Sequence, residues 1–158
     1  MIEKLTHRKA TVNDLSAIIN LLLEDVLGQT RESKISKDDQ CYIDAFYRID
    51  CDFNQYLMLV EKDKDKEIVG TCHLTVMPSL TFTGSTRMQI EAVRISEKYR
   101  GQKIGKWMME EAIKYGASKG ASIIQLTTNK KRPQAKHFYE SLGFEATHEG
   151  MKLYLKNE

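Results

Sequence analysis

No apolar run in this chain is long enough to cross a membrane. The longest, such as Ile18-Ile19 and Leu21-Leu22-Leu23, stop after two or three residues, where a spanning helix needs about 20. The first residues lack the charged-then-apolar pattern of an export signal, which argues against secretion and points to the cytoplasm. Three cysteines, Cys41, Cys51 and Cys72, are odd in number and too scattered for a disulfide framework or a metal knuckle, so reduced thiols are expected. His7, His73, His137 and His148 form no His-x-His or His-x-x-x-His pair, and no metal is expected. Charge of one sign is scarce too. Lys and Arg number 24 against 22 Asp and Glu, no basic stripe is interleaved with aromatics, and a nucleic-acid partner is not expected. Neither Gly-x-Gly-x-x-Gly nor a Gly-Lys-Ser/Thr phosphate loop is present, which removes the common dinucleotide and nucleoside-triphosphate signatures. Repeats, low-complexity tracts and linkers are missing. With 158 residues, 41% hydrophobic and 29% charged, residues 1–158 read as one globular domain.

What is there alternates between the two regular periods. Leu5 to Ala10 reads as a strand. Thr11 to Asp14 supplies capping side chains for a helix with Leu15, Ile18, Ile19, Leu22 and Leu23 at helical spacing, fading near Gly28. Gln29 to Ser36 is polar, and a second helix is expected from about Lys37 to Ile49. Gln55 to Glu61 and Lys66 to Val76 read as strands around a charged turn, and a loop from Leu80 to Ser85 leads into a strand from Arg87 to Ile95. Ile104, Trp107, Met108, Ala112 and Tyr115 then mark an amphipathic helix, with Trp107, Met108 and Met109 as core. Ile123 to Thr127 is a short strand, parallel to the one before the helix by the right-handed crossover rule. Pro133 opens a helix that Gly143 stops, and Phe144 to His148 with Met151 to Leu155 reads as a closing hairpin.

The stretch from Gln89 to Lys106 carries the most chemistry. Its strand half places Ile90 and Ala92 on one face and Glu91, Val93 and Ile95 on the other. Its second half, Tyr99-Arg-Gly-Gln-Lys-Ile-Gly105, is a short polar loop that opens into a helix. A loop of this kind can cradle phosphate, because free amides and the helix dipole point into it. Arg100, Lys103 and Lys106 add positive charge, and Gly101 and Gly105 allow close approach.

Arg100-Gly-Gln-Lys-Ile-Gly105, followed a strand and a helix later by Phe138-Tyr139-Glu140-x-x-Gly143-Phe144, resembles the GCN5-related N-acetyltransferase (GNAT) family. The element order and the opening His7-Arg-Lys-Ala-Thr with Asp14 resemble it as well, so the likeness covers nearly the whole chain. It implies an α/β acyl-CoA N-acyltransferase fold: a mixed, mostly antiparallel sheet flanked by about four helices, with splayed central strands. Acetyl-CoA is the implied co-substrate, and an amine, most plausibly of a small molecule, the acceptor, with direct transfer in a ternary complex. The pyrophosphate would sit on Arg100, Gly101, Gln102, Lys103, Ile104, Gly105 and Lys106. Pantetheine would pair with the backbone of Val93 and Ile95 and meet Asn129, while Lys130, Lys131 and Arg132 could reach a 3′-phosphate. Lys103 departs from the family's loop, which has glycine there. A homodimer through the C-terminal strands is compatible with the resemblance.

Acetyl transfer to an amine needs a proton acceptor, a donor to the tetrahedral oxyanion and an acid for the departing thiolate. Glu91 is placed to receive the amine's proton, through water, and a backbone N–H near Val93 to donate to the oxyanion. Tyr139 is the candidate acid, since a phenol near 10 and a thiol near 8.5 are almost matched. Alternatively, Glu91 pairs with Arg87 or Arg94 and only holds the sheet. His73 is expected to pack. Glu24, Asp25 and Glu32 are read as solvated helix face, and the acceptor pocket as lined by the first two helices and the Leu80 to Ser85 hairpin. No cysteine is placed as a nucleophile. Two rival readings are a protein or peptide N-acetyltransferase and a CoA-binding regulatory module without turnover.

Overall fold

A computed structural model of the chain describes residues 3–25 and 40–155. These group into two compact units, Met1–Gln125 and Leu126–Glu158. The first unit is built on a five-stranded sheet in chain order: β1 (Leu5–Lys9), β2 (Gln55–Lys62), β3 (Ile68–Pro78), β4 (Thr86–Ile95) and β5 (Ala121–Gln125). The pairs from β1 through β4 are antiparallel and β5 joins β4 in parallel. This is the mixed, mostly antiparallel sheet expected. Its one parallel joint lies where a crossover helix separates the strands. Helices α1 (Leu15–Leu23), α2 (Gln40–Asp50) and α3 (Ile104–Ser118) belong to the same unit, and α4 (Pro133–Ser141) to the second. The expected ends at Gly28 and Lys37, the polar stretch between them and Glu32 lie outside the described residues.

Each face of the sheet has its own covering. On one, Leu15, Ile18 and Ile19 of α1 and Phe46 of α2 bury against Ala10 and Leu59. Each such side chain contributes roughly 1.5–3 kcal/mol by leaving water. On the other, Met108, Met109 and Ala112 of α3 are fully buried, as expected of core. Farther along that helix a Cβ on Gly116 would stand 2.7 Å from Ile124 Cδ1 and 2.8 Å from Met88 Cε. The missing side chain lets α3 lie close on β4 and β5, and so fixes where its N-terminus points.

The entry to α1 is held by one ion pair. Arg8 grips Asp14 with two bonds, Nη1 to Oδ2 at 2.7 Å and Nη2 to Oδ1 at 2.9 Å, and its Nε reaches Glu61 Oε2 at 3.1 Å. Asp14 Oδ2 also accepts from the Thr11 backbone N–H at 2.7 Å. Hydrogen bonds from Arg8 hold the Asp14 carboxyl below its ordinary range.

Two expectations are corrected. The fifth strand runs from Ala121 to Gln125, two residues earlier than its apolar run predicts, and its ladder with β4 covers only Thr86 to Gln89. The closing hairpin is not formed. Phe144 to Leu155 has no strand among the described residues, and Met151, Leu153, Tyr154 and Leu155 are exposed. Alternation sets which way side chains point, but a strand exists only where a neighbour supplies its ladder.

A carboxylate whose folded-state pKa is depressed stabilises the fold above its unfolded value, near 3.9, and that contribution is lost as pH falls through the folded value. Stability should therefore drop below about pH 4. Asp14→Asn should flatten that drop and lower stability at pH 7 by about 1–3 kcal/mol, measured by urea denaturation across pH.

Candidate active site

The functional face begins with an irregularity in β4. Its ladder with β3 pairs His73 with Glu91 and Thr71 with Arg94, so Ala92 and Val93 together oppose Cys72 alone. Ala92 takes φ +49° to accommodate the extra residue. This β-bulge resets the alternation. Glu91 and Arg94 now share one face, and Ile90 and Ile95 the other, where a Cβ on Gly70 would meet Ile95 and Met108. The expected grouping of Glu91 with Val93 and Ile95 is thereby corrected.

On its other edge β4 pairs with β5 only from Thr86 to Gln89, the last register being Gln89 with Gln125. From Ile90 to Ile95 that edge has no ladder partner among the described residues, which leaves backbone polar groups for a strand-like ligand. Two of its carbonyls already hold one bond each. Arg94 Nη1 donates to Val93 O at 2.8 Å, and Arg100 Nε to Ile95 O at 3.2 Å. Each carbonyl keeps a second lone pair.

Glu91 is exposed. Both arginines that could have tied it into the sheet are engaged elsewhere. Arg94 pairs with Asp25 at 3.3 Å, and Arg87 donates to the hydroxyls of Ser79 and Thr81. Glu91 makes no ion pair among the described residues. Its cross-strand neighbour is His73, whose Nε2 lies 2.7 Å from Gln55 Oε1. Burial lowers the His73 imidazole below its ordinary pKa, and Glu91 opposes that shift. His73 is thus both packed in the sheet and hydrogen-bonded. Gln89 and Gln125 extend the same polar row, joined at 2.8 Å.

The loop after β4 is held from below. Tyr99, buried in the short turn Glu97–Tyr99, donates its hydroxyl to Glu67 Oε2. Lys62 Nζ reaches the same carboxylate at 2.8 Å and Lys98 Nζ at 3.1 Å. These donors, Lys62 foremost, hold the Glu67 carboxyl down at about 2. Beside them a cavity of about 410 Å³ is lined by Leu5, Lys62, Tyr99 and Gly101 to Ile104. Tyr99, Glu67 and Lys62 escaped notice in the sequence because they meet only across the β2–β3–β4 end of the sheet.

Above that base the chain makes two left-handed steps, Gly101 at φ +77° and Lys103 at φ +63°, and enters α3. Lys103, where the family's loop has glycine, takes a left-handed conformation that favours glycine. The helix's first bond runs from Trp107 N–H to Lys103 O at 3.1 Å. The amides of Ile104, Gly105 and Lys106 are therefore free of intrahelical partners. Gln102 and Arg100 are exposed at the rim.

The second unit carries the remaining expected residues. Asn129 Oδ1 accepts the Lys131 N–H at 2.9 Å and its carbonyl accepts the Arg132 N–H at 2.9 Å, a turn that launches α4 at Pro133. Lys130 pairs with Glu149 at 3.4 Å. Tyr139, half-buried on α4, rests between Phe138 and Phe144, at ring distances of 5.3 and 6.0 Å. Cys41 and Cys51 are exposed, and burial pushes the Cys72 thiol up to about 12. Among the described residues no group of three His, Cys, Asp or Glu side chains could hold a metal, and no helix is long and apolar enough to cross a membrane.

The model of the acetyltransferase (GNAT) family matches residues 20–144. The chain belongs to that family. It is 34% identical over 88 residues to a glucosamine 6-phosphate N-acetyltransferase of Trypanosoma brucei brucei, covering 56% of this chain and 58% of that protein. The chain thus spans less than two thirds of that relative's length. A solved structure of a transcriptional regulator from Bacillus halodurans C-125 is 41% identical with a TM-score of 0.91, over 96% of this chain and all of that one. A protein of Clostridium acetobutylicum described as a predicted acetyltransferase, solved with acetyl-CoA, shares the fold at 18% identity and a TM-score of 0.74, over 96% of each chain.

A non-glycine residue in the left-handed region costs roughly 1–2 kcal/mol. Lys103→Gly should hold or raise the melting temperature, whereas Lys103→Val, with a branched Cβ, should lower stability by about 1–3 kcal/mol. Thermal and urea unfolding check both.

Proposed function

We propose that this protein is one N-acetyltransferase domain that moves an acetyl group from acetyl-CoA to the primary amine of a small molecule, by direct transfer in a ternary complex. The observation that carries the reading is the α3 N-terminus with its free amides at Ile104, Gly105 and Lys106, beside a β4 edge left open beyond Gln89. The loop suits a pyrophosphate, with Gln102, Lys103 and Arg100 around it, and the open edge at Val93 and Ile95 suits the two amides of pantetheine. The acceptor approaches the face shared by Glu91, His73 and Gln89. Glu91, exposed and without an ion pair among the described residues, attracts the ammonium group and receives its proton. A backbone N–H at Val93 donates to the tetrahedral oxyanion, Tyr139 protonates the departing thiolate, and Asn129 meets the pantetheine arm. An amino sugar phosphate is the first acceptor to try, because the Trypanosoma relative is named for glucosamine 6-phosphate.

A second reading keeps the cofactor site and drops turnover. It is favoured by the Bacillus halodurans relative, which is described as a transcriptional regulator. In it, acetyl-CoA binding is the output.

Release of CoA from acetyl-CoA, followed with a panel of amines that includes glucosamine 6-phosphate, separates the two. Turnover with at least one small amine is expected. Glu91→Gln and Tyr139→Phe should each lower kcat by about 10²–10⁴-fold while leaving the acetyl-CoA Kd unchanged. No turnover with any amine, together with a melting temperature that still rises with acetyl-CoA, would favour the regulatory reading. Gly105→Asp should fold normally, since an acid in the first helical turn suits the dipole, yet lose that rise in melting temperature through repulsion of the pyrophosphate. A rise equal to that of the unmodified protein would remove the loop from the cofactor site.

A further inference from the structure

A chain of hydrogen bonds behind Glu91 fixes the protonation state of a residue to which no role attaches so far. Asp52, just before β2, accepts the Asn54 N–H on Oδ1 at 2.9 Å and the Gln55 side-chain Nε2 on Oδ2 at 3.1 Å. Those bonds hold the Asp52 carboxyl below its ordinary pKa, so it is an acceptor only. The Gln55 amide must therefore turn its NH₂ toward Asp52 and its Oε1 toward His73, 2.7 Å away. A carbonyl oxygen cannot donate, so the neutral imidazole must carry its proton on Nε2 and keep Nδ1 as a base. His73 is half-buried, and its direct cross-strand neighbour on β4 is Glu91.

Resting on the acetyltransferase reading above, we propose that His73 Nδ1 is the immediate base for the acceptor amine, with Glu91 as the onward proton acceptor and Gln55 and Asp52 as positioning residues. The ammonium nitrogen gives one proton to Nδ1. The freed lone pair forms the C–N bond to the thioester carbonyl, collapse of the intermediate breaks the C–S bond, and CoA leaves as its thiolate, which takes up the second proton shed by the new amide nitrogen. The proton on Nδ1 passes to Glu91 and then to water, while Nε2–H stays on Gln55 throughout. Matching of strengths favours this order. An imidazole is by nature a closer match to neutral pH than a carboxylate, and burial, which lowers the His73 pKa, favours its neutral form.

Among the described residues, few charged groups bear on His73. Glu91 of β4 acts on it directly, and Asp52 acts through Gln55. Helix α1, packed on β3 and β4, has no titratable side chain between Leu15 and Leu23. Its flanking acids are taken: Asp14 by Arg8, Asp25 by Arg94, and Glu24 by the Glu97 N–H at 2.8 Å. On α2, Asp44 accepts from Gln40 and Asp50 pairs with Lys9.

The pH dependence of kcat with acetyl-CoA and glucosamine 6-phosphate, or the best amine of the panel, tests the proposal. It is compared across the unmodified protein, His73→Gln, Glu91→Gln and Gln55→Glu, because kcat reports groups within the ternary complex. His73→Gln should lose the acid limb and about 10²-fold or more in kcat. Glu91→Gln should keep the limb but shift it to lower pH, since a negative charge that favoured the imidazolium is gone. Gln55→Glu should shift it to higher pH, since a carboxylate now accepts from Nε2–H. Nitrogen-15 NMR of the imidazole, which needs no turnover, should find neutral His73 as the Nε2–H tautomer. An acid limb that survives His73→Gln and vanishes in Glu91→Gln overturns the assignment, as does an Nδ1–H tautomer, and either leaves the acetyltransferase reading standing. Absence of turnover by the unmodified protein overturns that reading and the relay with it.

Discussion

Between Glu91 and Arg94, β4 has two residues where β3 has one, and Ala92 sits at φ +49° to make room. For an alanine that conformation costs roughly 1–2 kcal/mol, so the surrounding ladder must hold it there. Two consequences follow from the one extra residue. Upstream of it, Glu91 shares a face with His73. Downstream, Arg94 turns toward the same face and meets Asp25, while Ile95 turns to the other and packs near Met108. Without the bulge, Arg94 and Glu91 would lie on opposite faces and the end of α1 would lose its ion pair with β4.

The loop inherits its position from the same strand. Just past the end of β4 the Ser96 N–H bonds Val69 O at 2.9 Å, and Tyr99 is buried on Glu67. Only then does the chain rise through Gly101 and Lys103 into α3. At its far end α3 is pinned by the close approach at Gly116. A loop fixed at both ends can present its amides in one arrangement, which is what binding a rigid diphosphate asks of it, since little ordering entropy is then lost on association. The surface ion pairs around the turn before β3, such as Lys66 with Asp63, add little, because exposed pairs are screened by water.

Much of this was legible along the chain. The strand-loop-helix at Gln89 to Lys106, the crossover to a parallel strand and the Pro133 helix all rest on local chemistry: periodicity, capping and glycine placement act within a few residues. The family resemblance was legible for the same reason, since its two motifs are short and contiguous. What misled was also local. Alternation through Val93 assumed an unbroken ladder, and the apolar run at Ile123 to Thr127 gave no sign that β4 offers partners only as far as Gln89. The closing hairpin failed similarly, as two alternating stretches without a ladder of their own.

The sequence by itself determined which segments are helical or extended, which loop can hold an anion, and which family the chain resembles, because those properties depend on neighbours a turn or a strand away. Only the tertiary structure decided which side chains meet. Asp52, Gln55, His73 and Glu91 come from three separate parts of the chain, and the hydrogen bonds that run from His73 through Gln55 to Asp52, with Glu91 across the ladder from His73, exist only once β2, β3 and β4 are in register. Register is a long-range outcome of packing two faces at once, and a one-residue bulge alters it without leaving any mark in the local pattern.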